Sequence, residues 1–207
     1  MSLKEPGIET LWRWARTLER RVVRGKPLPA LLFFTDPHRT PDPQAIVARM
    51  PRGSGVVYRA FGSPDAVWRG AALARVARRR GVFFLVGADA GLARRLRADG
   101  LHLPERMAGR PGDIRALARR FLITTAAHSL PAAIKARRCG VGAVVVSMVF
   151  ASESHPGARA MGRLAFASLV RSSGAAVYAL GGVNVKTARG LRPTGAVGLA
   201  AIGAFGA

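Results

Sequence analysis

Short apolar runs alternate with longer amphipathic segments along most of the chain. The runs are rich in β-branched and aromatic residues, and such near-continuous hydrophobicity is typical of strands buried on both faces. They cover residues 31–35, 55–59, 82–86, 100–103, 121–124, 143–147, 175–180 and 197–200. Eight runs that alternate with helical patterns predict an α/β fold consisting of a single (β/α)8 TIM barrel.

Helix start and stop signals lie between these runs. Ser63, Pro64 and Asp65 offer a cap residue and a first-turn proline ahead of a small apolar face. Ser129 and Pro131 do the same for a later helix, and Gly140 is suited to a left-handed end of that helix. Each predicted helix would therefore return the chain to a strand parallel to the one before.

Residues 1–28 are predicted to form a helical extension that caps the barrel, with the barrel itself over 29–207. Apolar residues recur in this segment at roughly helical spacing among charged ones. They are Leu11, Trp12, Trp14, Ala15, Leu18 and Val22.

An open, doubly wound sheet would give the same alternation of strands and helices. Such a fold commonly carries a Gly-x-Gly-x-x-Gly turn after its first strand, where it binds a dinucleotide. Here that turn reads Thr35-Asp36-Pro37-His38. The absence of the glycine fingerprint favours the barrel.

The composition limits the cellular compartments and the kinds of site that are expected. Cys139 is the single cysteine, which rules out a disulfide within the chain and a zinc site made of several thiolates. The longest apolar stretches, 141–151 and 195–207, are shorter than the roughly 20 residues of a membrane helix. We therefore expect a cytoplasmic protein with no membrane partner.

The formal net charge is +22, from 33 Lys and Arg against 11 Asp and Glu. This excess indicates an anionic ligand or nucleic acid. The basic residues are scattered through the predicted helices, however, without the interleaved aromatic residues that stack on bases. We interpret them as solvated outer helix faces, and nucleic acid is the less favoured partner.

Small residues follow the last two predicted strands. Gly181 and Gly182 come after the seventh, and Ala201, Ile202 and Gly203 come after the eighth. Glycine lets the backbone approach a ligand closely, and these two loops of barrel enzymes frequently bind phosphate. The alternative is that the glycines only make tight turns and close packing, but two such turns in succession favour a phosphorylated small molecule.

Several stretches, in this order through the barrel, resemble the family of thiamine phosphate synthases and thiazole tautomerases over residues 31–205. The stretches are Phe33-Phe34-Thr35-Asp36, Ala98-Asp99-Gly100-Leu101-His102-Leu103, Ala127-His128-Ser129, Ser147-Met148-Val149-Phe150, Ala179-Leu180-Gly181-Gly182-Val183 and residues 195–204. The resemblance implies a role in thiamine biosynthesis.

A synthase of this family joins a pyrimidine diphosphate to a thiazole phosphate with the help of magnesium. The present chain resembles a divergent member of this family, because the family's strand-two glutamate and lysine are lost while Arg59 is kept. Its strand-three Asn-Asp pair aligns with Gly87 and Ala88, and only Asp89 or Glu105 could substitute for the missing acids. Magnesium requires several well-placed oxygen ligands, so we expect no metal or other cofactor.

The thiazole phosphate half of the family's site is better kept. In the loop after strand six, the resemblance places hydroxyls at Ser152 and Ser154 and replaces a lysine by His155, whose charge depends on pH. Together with the glycine turns, these residues are predicted to bind the phosphate.

The tautomerases move protons on a phosphorylated thiazole without a metal, and His128 aligns with the histidine that is their acid or base. Unperturbed imidazole titrates near pH 6.5, which suits this role. We expect Arg59 to pair with a substrate anion and His102 to be structural. A magnesium-dependent synthase and a non-catalytic barrel that binds phosphate ligands or polyanions stay open as alternatives, as does a homo-oligomeric state.

Overall fold

The computed structural model describes residues 7–19, 21–23, 25–108, 111–152, 157 and 159–205. Its elements, in chain order, are α1 (Gly7–Arg16), β1 (Val22–Val23), β2 (Lys26–Pro27), β3 (Leu31–Phe34), α2 (Pro43–Arg49), β4 (Gly55–Tyr58), α3 (Ala66–Arg80), β5 (Phe83–Gly87), α4 (Ala90–Arg95), β6 (Gly100–Leu103), α5 (Pro111–Ala118), β7 (Leu122–Ala127), α6 (Leu130–Arg138), β8 (Ala143–Val146), α7 (Arg163–Ser173), β9 (Val177–Ala179), α8 (Val185–Ala188) and β10 (Gly198–Ala201). Short 3-10 turns cover Glu105–Met107, Arg189–Thr194 and Gly203–Phe205.

The strands β3 to β10 form a closed parallel barrel in chain order. It closes where β10 pairs with β3, with Leu199 opposite Leu31. Each strand overlaps one of the apolar runs, so the predicted (β/α)8 barrel is confirmed and the open-sheet alternative is wrong. Strands buried on both faces explain why the runs are apolar throughout rather than alternating.

Apolar side chains fill the inside of the barrel as well as the layer between strands and helices. Leu32, Val57, Leu85 and Val145 belong to the inner cluster. At its floor, the buried Tyr178 hydroxyl donates a hydrogen bond to the carbonyl oxygen of Pro29 at 2.6 Å. The interior is therefore a packed core, and a ligand site has to lie at an end of the barrel.

Local signals explain where the helices begin and end. Ser129 caps α6 by accepting a hydrogen bond from the Ala132 N–H at 3.3 Å, and Gly140 takes the predicted left-handed conformation with φ of 88°. The predicted first-turn role of Pro64 is wrong. Ala66 donates to the Ser63 carbonyl in a turn, and α3 begins only at Ala66 with Asp65 in the cap position.

The predicted N-terminal helical extension is present only in part, as α1, which ends at Arg16. The helical assignment of Val22 is wrong, because Val22 lies in strand β1. Helix α1 packs against β10, β3 and α8 through a face that includes the buried Leu11 and Ala15. The small antiparallel hairpin of β1 and β2 connects it to the barrel. The domain boundary at residue 28 stays a prediction. Within the described ranges, no helix is long and apolar enough to cross a membrane.

Candidate active site at the mouth of the barrel

The loops that follow the barrel strands lie at one end, which we call the mouth. Parallel strands all finish at this end, so side chains distant in sequence converge there. Of the predicted site residues, Arg59 follows β4, His128 follows β7, Ser152 lies in the loop after β8, Gly181 and Gly182 follow β9, and Ala201, Ile202 and Gly203 end β10 or follow it. Ser154 and His155 lie outside the described residues.

Arg59 is held firmly by the loop after β3. Its Nε donates to the Thr35 carbonyl oxygen at 2.7 Å and its Nη2 to Asp36 Oδ2 at 3.1 Å. The guanidinium also lies over the Phe61 ring, 4.9 Å from the ring centroid. A guanidinium has five N–H groups, so these two bonds leave others for an anion. The predicted pairing of Arg59 with a substrate anion stays a prediction.

Arg59 and Asp36 stabilise each other's charged forms. Burial lowers the pKa of Arg59, while the negative charge of Asp36 opposes that shift. For Asp36, burial raises the pKa, but N–H hydrogen bonds from Arg39 and His38 and the charge of Arg59 outweigh it, so the pKa lies below its usual value. Asp36 is therefore an anion at neutral pH and anchors Arg59. No pattern in the sequence indicates this role of Asp36.

A cavity of about 440 Å³ opens beside Arg59, between the loop after β3 and the first turns of α3. Small-ligand pockets commonly have volumes of this order. Asp36, Phe61 and Trp68 line it, and the last two are exposed. No local sequence pattern signals this cavity, because its walls come from three separate segments.

His102 lies inside the barrel, below the mouth. Its Nδ1 is 3.0 Å from Thr124 Oγ1, and its ring meets the Phe34 ring edge-on with centroids 4.9 Å apart. Burial, and then the charge of Arg59, lowers its pKa to about 3. The neutral imidazole is thus a hydrogen-bonded core group, which confirms the predicted structural role.

Burial of a neutral histidine makes stability depend on pH. Because the pKa of His102 is about 3 in the folded protein and near 6.5 when unfolded, the unfolded chain binds the extra proton between these values. We expect the unfolding free energy contributed by this residue to be intact above pH 6.5 and to fall by up to about 1.4 kcal/mol per pH unit below it. In urea unfolding at several pH values, His102→Asn should show a shallower fall than the parent chain. Equal slopes would contradict the assignment.

His128 forms a close pair with Glu105. Its Nδ1 lies 2.8 Å from Glu105 Oε2, and its backbone N–H donates to the same oxygen at 2.9 Å. A carboxylate only accepts hydrogen bonds, so Nδ1 carries the proton in the neutral ring and Nε2 keeps a free electron pair. Both side chains are exposed at the mouth. From the sequence alone, Glu105 is a candidate only as a substitute metal ligand.

The two glycines after β9 allow the chain to pack closely against the loop after β8. Gly181 and Gly182 have φ of 89° and 63°, a region that favours glycine. A Cβ on Gly182 would overlap the Ala151 carbonyl oxygen and lie 2.7 Å from Phe150 Cβ. The Phe150 N–H donates to the Gly181 carbonyl at 3.0 Å. These glycines therefore serve close packing, and their contact with phosphate stays a prediction.

Arg39 lies over the turn that follows β10. A Cβ built on Gly203 would be only 2.7 Å from Arg39 Nη2. The Arg39 side chain is exposed, and no carboxylate among the described residues forms an ion pair with it. The charge of Arg39 helps to lower the pKa of Asp36, although the two side chains form no ion pair. An exposed guanidinium beside a glycine suits an anion. The contact joins residues far apart in sequence, and nothing in the pattern signals it.

Among the described residues, the side chains at the mouth are a poor fit to a magnesium site, and the absence of a metal stays a prediction. Gly87 and Ala88 have no side-chain oxygen, and Asp89 Oδ1 accepts a hydrogen bond from the Leu92 N–H at 2.8 Å. Asp36 is bound to Arg59 and Glu105 to His128. Magnesium prefers several oxygen ligands in octahedral geometry. Over the described ranges, no three His, Cys, Asp or Glu side chains gather as a metal site would need.

Known proteins similar to this chain agree with the barrel and with its sequence motifs. The profile of the family described as thiamine monophosphate synthase matches residues 32–205. A curated relative, putative thiamine-phosphate synthase 2 of Aquifex aeolicus (strain VF5), is 32% identical over 114 residues, which cover 55% of this chain and 61% of the relative. The alignment thus spans less than two thirds of that relative's length.

Solved structures give the same result. The thiamine phosphate pyrophosphorylase from Pyrococcus furiosus superposes with a TM-score of 0.73 at 25% identity, covering 86% of this chain and 87% of the other. A structure described as native KDPGal has a TM-score of 0.60 at 16% identity, covers 88% and 84%, and supports the fold alone. Because the family profile spans the whole barrel, the chain belongs to the thiamine monophosphate synthase family.

Proposed function

We propose that the mouth binds a thiazole phosphate-like ligand and that His128 transfers a proton on it without a metal, as the thiazole tautomerases of this family do. The observation that carries the proposal is the pairing of His128 with Glu105 at 2.8 Å. A histidine whose one ring nitrogen is fixed by a carboxylate presents the other for acid–base chemistry.

The proposed step is an isomerisation. His128 Nε2 takes a proton from one ring position of the ligand, and the resulting imidazolium returns a proton at another position, so no co-reactant is consumed. Glu105 stabilises the imidazolium by its charge and holds the ring orientation. We regard Glu105 as a positioning residue, because it acts through His128.

The order of strands is consistent with a phosphate group bound on the side of the mouth opposite His128. His128 and Glu105 follow β7 and β6, whereas Gly203 and Arg39 follow β10 and β3. In an eight-strand barrel with this order, these two pairs of strands lie on opposite sides of the mouth. A ligand with its phosphate at one side and its ring over the centre would reach both groups. Ser152 lies on the loop between them.

A magnesium-dependent synthase is the second candidate. The curated relative and the Pyrococcus structure carry the names of that activity, and Arg59 keeps N–H groups that could bind a diphosphate. Against it stands the donor set, in which the carboxylates near the mouth are already engaged. We therefore favour the metal-independent reaction.

Calorimetric titration tests the proposal. Thiazole phosphate should bind equally well with and without magnesium, and Arg39→Gln should weaken its binding about 10-fold through loss of a charge-assisted bond of roughly 1.5 kcal/mol. Arg75→Gln, which removes an exposed arginine of α3 that does not line the cavity, is the matched control. Magnesium-dependent binding of both thiazole phosphate and pyrimidine diphosphate would instead establish the synthase. Binding without any proton transfer would leave a non-catalytic phosphate-binding barrel.

A further inference from the structure

Exposed basic side chains gather at the end of the barrel opposite the mouth, which we call the base. The base consists of the last turns of α2 to α7 and the loops that lead from them into the next strands. Its basic residues, all exposed, are Arg49, Arg52, Arg78, Arg79, Arg80, Arg94, Arg95, Arg97, Arg115, Arg119, Arg120, Lys135, Arg137, Arg138 and Arg171. The scatter seen in the sequence is thus an ordered arrangement in the fold.

Acidic residues are distributed in the opposite way. In the segments that form the base, all of them within the described ranges, the single acid is Asp99, whose Oδ2 accepts a hydrogen bond from the Phe84 N–H at 2.9 Å. Glu19, beside the segment that leads into β10, also lies at this end and is paired with Arg21. The loops of the mouth and the first turns of their helices contain most of the chain's acids. Those described are Asp36, Asp42, Asp65, Asp89, Glu105 and Asp113.

Several neighbouring helix ends of the base are in contact through their arginines. Arg78 at the end of α3 donates to the Leu96 carbonyl after α4 at 2.6 Å. A Cβ on Gly174, after α7, would lie 3.7 Å from Arg137 Nε at the end of α6. On the other side, a Cβ on Gly81 would lie 2.9 Å from Cγ of Arg52, which precedes β4. Cations of neighbouring helix ends therefore lie close together from α2 to α4 and from α6 to α7.

Helix dipoles explain only part of this surface. A cation in the last turn of a helix stabilises it by about 0.3–1 kcal/mol, and one per helix would provide that. Helix α3 instead ends with three consecutive arginines, Arg78, Arg79 and Arg80. Like charges at this density repel one another and destabilise the fold unless an anionic partner offsets them.

We propose that the base is a docking surface for the phosphodiester backbone of nucleic acid, bound without sequence specificity. All but one of its cations are arginines, whose planar guanidinium matches phosphate oxygens in a bidentate manner. The base of the described structure presents no exposed large aromatic side chain for stacking on bases. Phe61, Trp68, Met107 and Leu164, exposed and apolar, all lie on the mouth side.

An anionic membrane is the less suitable occupant. Surface-bound proteins insert apolar side chains below the headgroups, and among the described residues of the base and its adjoining hairpin the large exposed apolar side chain is Val22. Nucleic acid needs only the phosphate contacts that the base offers. The same chemistry serves DNA and RNA, and the experiment separates them.

The test is fluorescence anisotropy of the full chain with labelled duplex DNA, duplex RNA and single-stranded DNA over a range of salt concentrations. We expect binding that weakens steeply with salt. The triple variant Arg79→Gln, Arg95→Gln, Arg138→Gln changes side chains that have no hydrogen-bond or ion-pair partner among the described residues. On duplex DNA it should reduce the slope of log K against log salt by about 2 to 3, at roughly 0.9 per lost phosphate contact.

The matched control removes the same charge from the mouth side, with Arg69→Gln, Arg163→Gln and Lys186→Gln. These residues lie in the first turns of α3, α7 and α8, and the control should leave the slope nearly unchanged. Equal effects of the two triple variants would overturn the proposal, because binding would then follow net charge alone. No binding even at low salt, or binding to anionic vesicles but not to nucleic acid, would overturn it as well. Thermal melting of each variant checks that the barrel remains folded.

Discussion

His128→Ala is expected to lower the rate of thiazole phosphate tautomerisation by about 10² to 10⁴-fold, the usual contribution of a positioned acid or base. The affinity for the ligand should change little, because His128 is exposed and its one described side-chain partner is Glu105 rather than a group of the predicted phosphate site. The measurement is the steady-state rate together with calorimetric binding. An unchanged rate would show that His128 is not the acid or base.

The variant Glu105→Gln, measured in the same assay, separates the effect of the Glu105 charge from its role in orienting His128. Its amide oxygen can still accept the hydrogen bond from His128 Nδ1, but the negative charge that stabilises the imidazolium is gone. We expect kcat to fall about 10-fold with KM nearly constant, which is a smaller loss than in His128→Ala. A variant that raises KM and leaves kcat alone would indicate that Glu105 binds the ligand instead.

Gly182→Ala is expected to be the most disruptive single-methyl change at the mouth. Its φ of 63° is strained for alanine by roughly 1 kcal/mol, and the new Cβ would overlap the Ala151 carbonyl and crowd Phe150. The loops after β8 and β9 must then separate. We expect ligand affinity to fall at least 10-fold and the melting temperature to drop by several degrees.

Gly62→Ala is the matched control, because Gly62 has a similar φ of 75° with nothing within 4 Å of its built Cβ. Gly62→Ala therefore introduces similar backbone strain without a steric overlap of the new Cβ. Both variants are measured by thermal melting and by calorimetry with thiazole phosphate. Equal losses in the two would show that the packing of Gly182 on the neighbouring loop has no role in ligand binding.

The fold could be predicted from the sequence because its signal is local. Runs such as 100–103 and 143–147 lie close to the observed strands, since a strand covered on both faces must be apolar at every position. Ser129 and Gly140 mark the ends of α6 because caps depend on only a few neighbouring residues. The sequence predicts a start of α3 that is too early, because Ser63 and Pro64 match the pattern of a helix cap but belong to a turn.

The candidate site could be predicted only in part. Resemblance to a family located His128 and Arg59, but their partners depend on which loops meet at the mouth. Glu105 is 23 residues from His128 and meets it because β6 and β7 are neighbours. Arg39 meets the Gly203 turn because β10 closes on β3, which no local pattern encodes.

The separation of charge along the barrel axis has a kinetic consequence. A protein with a net charge of +22 would be expected to capture anionic metabolites at a rate that falls sharply with ionic strength. Yet most of the acids surround the entrance, where they offset nearby cations such as Arg59 and Arg163. The Debye length in physiological salt is about 8 Å, so the field on an approaching ligand comes mainly from the nearly balanced charges at the mouth. The excess positive charge at the far end of the barrel is largely screened. The association rate of a small anion should therefore vary with salt far less than the overall charge suggests.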